Sequence, residues 1–328
     1  MTIDAMVAVI KKSGLFDEKY YLACYPDVRQ SRFEPILHYV HYGAKEGKNP
    51  SADFDTKAYV KTNSHVDTNP LVHYIIHGRH TTIGLCRYST AEFGRKFDVF
   101  EEPYFSKRLE IFENITLRSL DSQSEKNFLF LVYHRKSCPA NKRLIFKRLE
   151  AKHPYLINVY TKEGILLPDH VRKADLLTFR LDNDDGVPKD FIARLNEIRY
   201  KLKNRNAPDT VISCPLALIV GKISEKKFVY NLRNLYSNSM GLAMYSPHGS
   251  TIFDAGGHME VKHKFPMEIL QGQGGFQILH DSNLYNGSLG FSGKIVDQQV
   301  LERILIKLGY PIINLENLPP YDKEVTEI

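Results

Sequence analysis

Phe128-Leu129-Phe130-Leu131-Val132-Tyr133 is a continuous apolar run with no polar alternation. Such a run marks a strand buried on both faces, which occurs where helices cover both sides of a mostly parallel sheet. The flanking segments meet that constraint. Tyr104 to Leu120 has helical period, with Phe105, Leu109, Phe112, Ile115 and Leu120 in step. Pro139 to Lys152 reads as a helix with Leu144, Ile145 and Leu149 inward and Lys142, Arg143 and Lys147 outward. Leu156 to Tyr160 is a second strand. Leu176 to Leu181 is a third, ending in Asp182-Asn183-Asp184-Asp185-Gly186, and Pro188 to Leu202 is the helix that follows. Cys86 to Ser89 is ambiguous. This alternation predicts an α/β fold in which ligands bind outside the carboxyl ends of the strands, where the acidic turn would sit. Beyond residue 208, Val211 to Val220, Met240 to Ser246 and Ser250 to Asp254 read as strands, Gln271 to Gly275 as a flexible loop, and Val296 to Leu308 as a last amphipathic helix.

The N-terminal part obeys a different rule. Phe16-Asp17, Lys19, Tyr21 and Val28 recur as Phe54-Asp55, Lys57, Tyr59 and Val66, and Pro35, His38, Tyr39 and Gly43 recur as Pro70, His73, Tyr74 and Gly78. Each unit reads as two short helices. The first follows Phe-Asp, and the second starts at Pro35 or Pro70 and ends at Gly43 or Gly78, where a left-handed cap is favourable. A chain of 328 residues suits two domains at roughly 150 residues each. The repeat puts them at 1–84, with units of about 16–50 and 54–84, and 85–328. His38/His41 and His73/His77 have spacings that could ligate a metal, but no carboxylate or Cys accompanies them, which favours packing and capping roles.

The formal charge of +6 suits an acidic small molecule or an anionic surface, and no nucleic-acid motif accompanies it. The cysteines (Cys24, Cys86, Cys138 and Cys214) are isolated, which suits a reducing compartment. No apolar run approaches the roughly 18 residues of a membrane span. Ala5 to Ile10 is preceded by Asp4 and followed by Lys11 and Lys12, the reverse of a signal peptide's charge order. The expected location is the cytoplasm, with peripheral contact on the cytoplasmic face of the inner membrane. Walker, dinucleotide and nucleophile-elbow patterns are not met.

Asp182, Asp184 and Asp185 crowd three carboxylates into four residues. They need positive partners or a bound cation, and oxygen-rich sites suit Mg2+ or Mn2+ bridging carboxylates to substrate phosphates. The competing reading is a solvated Asx-rich turn capping the next helix.

Two resemblances extend these readings. Phe16-Asp17-x-x-Tyr20-Tyr21-Leu22, Tyr25-Pro26-Asp27-Val28 and His38-Tyr39-x-x-Tyr42-Gly43 resemble a short helical repeat found beside bacterial polysaccharide glycosyltransferases. The second copy departs at Asn63-Ser64-His65-Val66 and Thr81-Thr82-Ile83. Arg180-Leu181-Asp182-Asn183-Asp184-Asp185-Gly186 with Phe191 resembles the metal-binding DXD segment of GT-A glycosyltransferases, specifically the rhamnosyltransferase family. Arg108-Leu109-x-x-Phe112, Leu117-x-Ser119-Leu120-x-x-Gln123, Ser239-x-Gly241, Gly257-His258 and Leu279-His280-Asp281-x-Asn283-x-x-Asn286 follow that family's order over residues 85 to 290.

The resemblance implies a GT-A domain, a Rossmann-like mixed sheet flanked by helices, preceded by a small all-α repeat domain. It implies a glycosyltransferase that moves rhamnose, or another hexose such as galactofuranose, from a nucleotide-diphosphate donor to a surface polysaccharide (O-antigen or capsule) or lipid-linked glycan. Carried over by residue, Asp182, Asp184 and His280 would hold Mn2+ or Mg2+. Arg87, Tyr88, Arg180, Asp182, Asp185 and His258 would bind the nucleotide sugar, Tyr88 by stacking. Of the carboxylates available as the base of an inverting reaction, Glu260 is favoured, with Asp281 beside it. Asp184→Ala would then abolish transfer and leave the fold intact. The implied partners are the donor, the glycan acceptor, the inner membrane and other assembly enzymes, with no nucleic acid. The alternative is a non-catalytic glycan-binding or scaffold protein on a GT-A shell.

Overall fold

The computed structural model describes residues 1–52, 54–62, 68–75, 82–90, 98–162, 167, 175–234, 240–257, 260–280, 291–321 and 325–327. The chain divides into two compact units, Met1–His80 and Thr81–Ile328.

The first unit is helical. Thr2 and Asp17 cap the helices Ile3–Ser13 and Glu18–Cys24 through their side-chain oxygens. Pro35 and Pro70 open the short helices Pro35–His38 and Pro70–His73, and the residues before them, Glu34 and Asn69, share one backbone conformation (φ −61°, ψ 124° and φ −60°, ψ 124°). Tyr21 Oη meets His38 Nδ1 at 3.1 Å, and Tyr59 Oη meets His73 Nδ1 at 2.7 Å. His38 and His73 are thus tied to tyrosines within the unit. Gly43 is not a left-handed cap. It lies in a wide helical turn, Tyr39–Gly43, where a Cβ would come within 2.1 Å of the Tyr21 hydroxyl. The left-handed position belongs to Gly47, at φ +72°. His77 and Gly78 lie outside the described residues, as do Asn63 to Val66 of the second copy.

The second unit holds thirteen strands among the described residues: β1 (Thr82–Ser89), β2 (Leu129–Arg135), β3 (Leu156–Thr161), β4 (Leu176–Arg180), β5 (Asp185–Gly186), β6 (Thr210–Ser213), β7 (Leu216–Lys222), β8 (Lys227–Asn234), β9 (Ala243–Ser246), β10 (Met267–Ile269), β11 (Gln273–Leu279), β12 (Phe291–Asp297) and β13 (Val325–Glu327). They form a seven-stranded sheet, β10-β6-β9-β4-β1-β2-β3, and a six-stranded sheet, β13-β12-β8-β7-β11-β5. In the first sheet β3, β2, β1 and β4 run parallel and β9 is antiparallel to β4 and β6. Both faces of β2 are buried, as its apolar run requires. The result is the mixed sheet flanked by helices expected of a GT-A domain. Position 84/85 falls inside β1, where Ile83 pairs with Leu129 and Gly84 with Phe130. The domain's first strand therefore starts at Thr82.

Several local expectations change. Leu144 is 59% exposed, whereas Lys142 is buried with its ammonium 3.9 Å from the Phe105 ring centroid and paired with Glu102. The charged head finds a partner while its stem covers the core, so this helix face is turned from the one the periodicity suggests. Val211 to Val220 is two strands in two sheets, parted at Cys214-Pro215. Ser250 to Asp254 is a turn, its Asp254 side chain accepting from the Thr251 N–H at 2.9 Å. Of Gln271 to Gly275 only Gln271 and Gly272 lie outside a strand, because β11 begins at Gln273 and takes in Gly274 and Gly275. A Cβ on Gly274 would stand 2.6 Å from the carbonyl oxygens of Cys214 and Leu216, so glycine is there for close strand approach.

Candidate active site

The crossovers β1 to β2 to β3 proceed in one direction and β4 returns on the other side of β1, so the strand order reverses between β1 and β4. Crevices at such reversals, outside the carboxyl ends, are where open α/β sheets bind ligands. The acidic turn leaves β4 at this point and runs into β5, which pairs antiparallel with β11 (Gly186 with Phe276, Asp185 with Gln277). That register carries His280, just beyond β11, back to the turn. Its Nε2 stands 3.2 Å from Asp184 Oδ2.

Arg108, from the helix Tyr104–Ile111, joins them. Its Nη1 is 3.0 Å from Asp184 Oδ2 and 3.1 Å from His280 Nε2, and its Nη2 donates to Asn183 Oδ1. Burial opposes ionisation of Asp184, but the Arg108 charge and the His280 hydrogen bond outweigh it and hold the carboxyl well below the usual range. Burial also opposes the Arg108 charge, and Asp184 more than restores it. Asp185 behaves in the opposite way. Burial, reinforced by the Asp184 and Asp182 charges, pushes its carboxyl well up, and neither carboxyl oxygen has a hydrogen-bond partner among the described residues. The Asp185 side chain is fully buried because β5 draws it inward, so it is not a donor-binding group.

Asp182 keeps a partly exposed carboxylate, 4.0 Å from Arg180 Nη2. Arg180 is itself buried, and its Nε has no partner among the described residues. Arg87 is exposed at the end of β1. Both guanidinium groups stand over one ring, Phe253, at 5.1 Å for Arg87 and 5.2 Å for Arg180. Alternation along β1 sends the next residue the other way. Tyr88 points into the core against Phe112, Phe146 and His134, at centroid distances of 5.3, 5.0 and 5.3 Å. It cannot stack on a base from there. Glu260 is exposed and paired with Lys264 at 2.7 Å, whose hydrogen bond lowers its carboxyl's pKa. No hydrogen bond or ion pair among the described residues links it to the turn. His258 and Asp281 lie outside the described residues, as do Ser239, Asn283 and Asn286.

Of the three residues expected to hold a divalent ion, two are adjacent. Asp184 Oδ2 and His280 Nε2 are spaced close to the roughly 3 Å edge between adjacent ligands about 2.1 Å from an ion. Both also converge on one cationic nitrogen, Nη1 of Arg108. A carboxylate oxygen and an imidazole nitrogen would leave the other positions to water and substrate phosphate oxygens. Asp182 does not converge with them, and among the described residues no group of three His, Cys, Asp or Glu is placed to hold an ion.

Arg108 and Asn183, which the family-like motifs include without a role, and Phe253, which no motif marks, join the site in the structure. The signal for Arg108 was the crowding of three carboxylates, which demands a positive partner.

The family model described as "Putative rhamnosyl transferase" matches residues 81–287, more than half of the chain. Among solved structures, S. aureus TarS 1-349 in complex with UDP-GlcNAc is similar at TM-score 0.37 and 11% identity, covering 62% of this chain and 60% of that one. S. aureus TarS is similar at TM-score 0.35 and 10% identity, covering 72% and 41%. The chain therefore spans less than two thirds of either structure, and overlaps this loose carry no weight on substrate. No curated protein matches it. The chain belongs to the rhamnosyl transferase family that this model describes.

Proposed function

We propose that the chain transfers a sugar, rhamnose or another hexose such as galactofuranose, from a nucleotide-diphosphate donor to a hydroxyl of a bacterial surface polysaccharide or lipid-linked glycan. The observation that carries this reading is the pairing of Arg87 and Arg180 over Phe253 beside the acidic turn, at the reversal between β1 and β4. Two guanidinium forks there suit a diphosphate, which they can grip in bidentate fashion. Arg180 brings to that task a buried N–H that has no partner among the described residues. Asp182, with its partly exposed carboxylate, would accept from donor sugar or ribose hydroxyls. Asp184 and His280 are the groups that would hold Mn2+ or Mg2+. When bound, such an ion neutralises the charge that develops on the departing diphosphate. The helical unit would serve acceptor capture, oligomerisation or docking to other assembly enzymes. The expected site of action is the cytoplasmic face of the inner membrane. Among the described residues no helix is long and apolar enough to cross it.

The test is thermal unfolding with UDP, dTDP, GDP and CDP, each with and without Mn2+, followed by transfer assays with sugars of the stabilising nucleotide. One nucleotide should raise Tm by mass action and its sugar should be transferred. If no nucleotide stabilises the chain and glycans bind without metal, the chain is a scaffold protein and the enzyme reading fails.

A further inference from the structure

The helix Ala140–Lys152 buries Lys142 and leaves Leu144 exposed, the reverse of what core packing alone selects. Local rules broken in this way tend to mark function. Ala140, Leu144, Lys147, Arg148 and Ala151 follow one another at helical spacing and are all exposed, with the exposed Lys152 beside them. The helix's one carboxylate is withdrawn from this face, since Glu150 Oε2 accepts from Asn158 Nδ2 at 3.2 Å. Two of its cations are engaged elsewhere. Lys142 pairs with Glu102, and Arg143 stands 4.3 Å from the Tyr160 ring centroid while its Nη2 donates to the Lys136 carbonyl. That bond sets the exposed Lys136 by the N-terminal end of the helix. The Lys136 N–H in turn donates to Thr161 O at 2.8 Å, next to the exposed Lys162. At the other end, the carboxylate of Asp121 is paired with His153 at 2.8 Å. Lys147, Arg148 and Lys152 form no ion pair among the described residues. The outer face is thus a set of uncompensated cations around one exposed leucine.

We infer that this face is a contact surface for an anionic lipid bilayer, with Leu144 entering the boundary between headgroups and acyl chains and Lys147, Arg148 and Lys152 taking lipid phosphates. Charge complementarity selects an anionic partner, and Leu144 narrows it. A nucleic acid would attract the same cations but has no apolar layer beneath its phosphates to receive a leucine. A bilayer has one, and binding there grows with both apolar insertion and charge. The stems of Lys and Arg can lie along that layer while their heads stay among the phosphates. Attraction of this kind acts within a Debye length, so it weakens with salt. One leucine and a few cations make a reversible contact, not an anchor. The cytoplasmic leaflet as its setting rests on the proposed site of action; the surface itself does not.

The test is co-sedimentation of the full chain with vesicles of phosphatidylcholine, and with vesicles of an equal mixture of phosphatidylcholine and phosphatidylglycerol. Wild type should bind the mixed vesicles at low ionic strength, leave them as salt is added, and ignore the neutral ones. Lys147→Ala/Arg148→Ala should weaken binding on the order of twentyfold, about fivefold for each cation. Leu144→Gln should weaken it about threefold to tenfold. Lys226→Ala/Lys294→Ala removes the same net charge from exposed positions beside β8 and on β12, and should bind as wild type. All five positions are exposed, so each variant should melt with wild type. No binding by wild type, binding unmoved by Lys147→Ala/Arg148→Ala, or equal losses in the two double variants would each overturn the assignment. Binding unmoved by Leu144→Gln would make the face a general polyanion surface, and the lipid assignment would fail. If Lys147→Ala/Arg148→Ala does not fold, the Leu144→Gln result decides. No nucleotide, sugar or glycan enters the assay, so its outcome is independent of whether the chain transfers a sugar.

Discussion

His280 Nε2 lies 3.2 Å from Asp184 Oδ2, although 96 residues separate them in the chain. The antiparallel register of β5 on β11 makes this contact, and Arg108 closes it with an ion pair to Asp184. Asp184 therefore has a structural load as well as a chemical one. Asp184→Ala leaves the buried Arg108 charge unpaired and should cost about 3–5 kcal/mol of stability, so the variant will not be as intact as its sequence position implies. Asp184→Asn keeps an oxygen for Arg108 and should lose much less stability while still losing transfer. Thermal unfolding beside a transfer assay checks both. Full transfer by Asp184→Asn would remove Asp184 from the chemistry.

Tyr88 supplies a converse case. Its hydroxyl is buried and has no partner among the described residues. Tyr88→Phe removes an unsatisfied polar group and should be neutral or stabilising by about 1 kcal/mol. Nucleotide affinity should not change, because the ring packs in the core. A drop in affinity, measured by calorimetry, would put Tyr88 back in the cleft.

Much of the parallel half of the first sheet could be read from the chain because β2, β4 and their helices obey strong local rules: unbroken apolar runs and helical period. The acidic turn was visible for the same reason, since three carboxylates crowd a strand end. What supports it was not visible. Arg108 sits in a helix whose family-like motif gives it no partner, and its meeting with Asp184 and His280 depends on the pairing of β5, a strand of two residues. Tyr88 was misplaced because a strand sends neighbours to opposite faces, and the phase of β1 is ambiguous over Cys86 to Ser89. The second sheet was the least readable. β11 has two glycines and reads as a loop until its neighbours supply the carbonyl oxygens that exclude a side chain.

That exclusion is directly testable. Gly274→Ala would force a methyl group to within 2.6 Å of the Cys214 and Leu216 carbonyl oxygens, both backbone atoms that cannot swing aside. The strands must part, at a cost of about 1–3 kcal/mol or more. Denaturant unfolding should show it, with His280 displaced and nucleotide stabilisation weakened in step. A variant as stable as wild type would refute the close approach of β11 to β7.

His134 gives the fold a pH dependence. Burial holds its imidazole down to about 4 from 6.5, only partly opposed by the hydrogen bond to Asn158. Between those values the unfolded chain binds a proton that the folded chain refuses, so stability rises with pH. The His134 contribution is complete above about 6.5 and is lost as pH falls toward 4, amounting to about 2 kcal/mol at pH 5. His134→Gln, which keeps a donor for Asn158, should flatten the fall in Tm between pH 7.5 and pH 5. An unchanged slope would assign the acid sensitivity to other groups.

Phe253 carries the last prediction. Arg87 and Arg180 stand over its ring at 5.1 and 5.2 Å, and they are the two cations assigned to the donor diphosphate. Each such contact is worth roughly 0.5–1 kcal/mol where partly exposed. Phe253→Leu keeps apolar volume and removes the π face, so the fold should lose little stability. The guanidinium groups lose their common platform, and affinity for the cognate nucleoside diphosphate should fall about threefold to tenfold. Calorimetric titration of the nucleotide identified by thermal shift measures this. If affinity is retained in Phe253→Leu but lost in Arg87→Ala and Arg180→Ala, the arginines bind the diphosphate without the ring. If all three variants bind as wild type, the diphosphate is bound elsewhere.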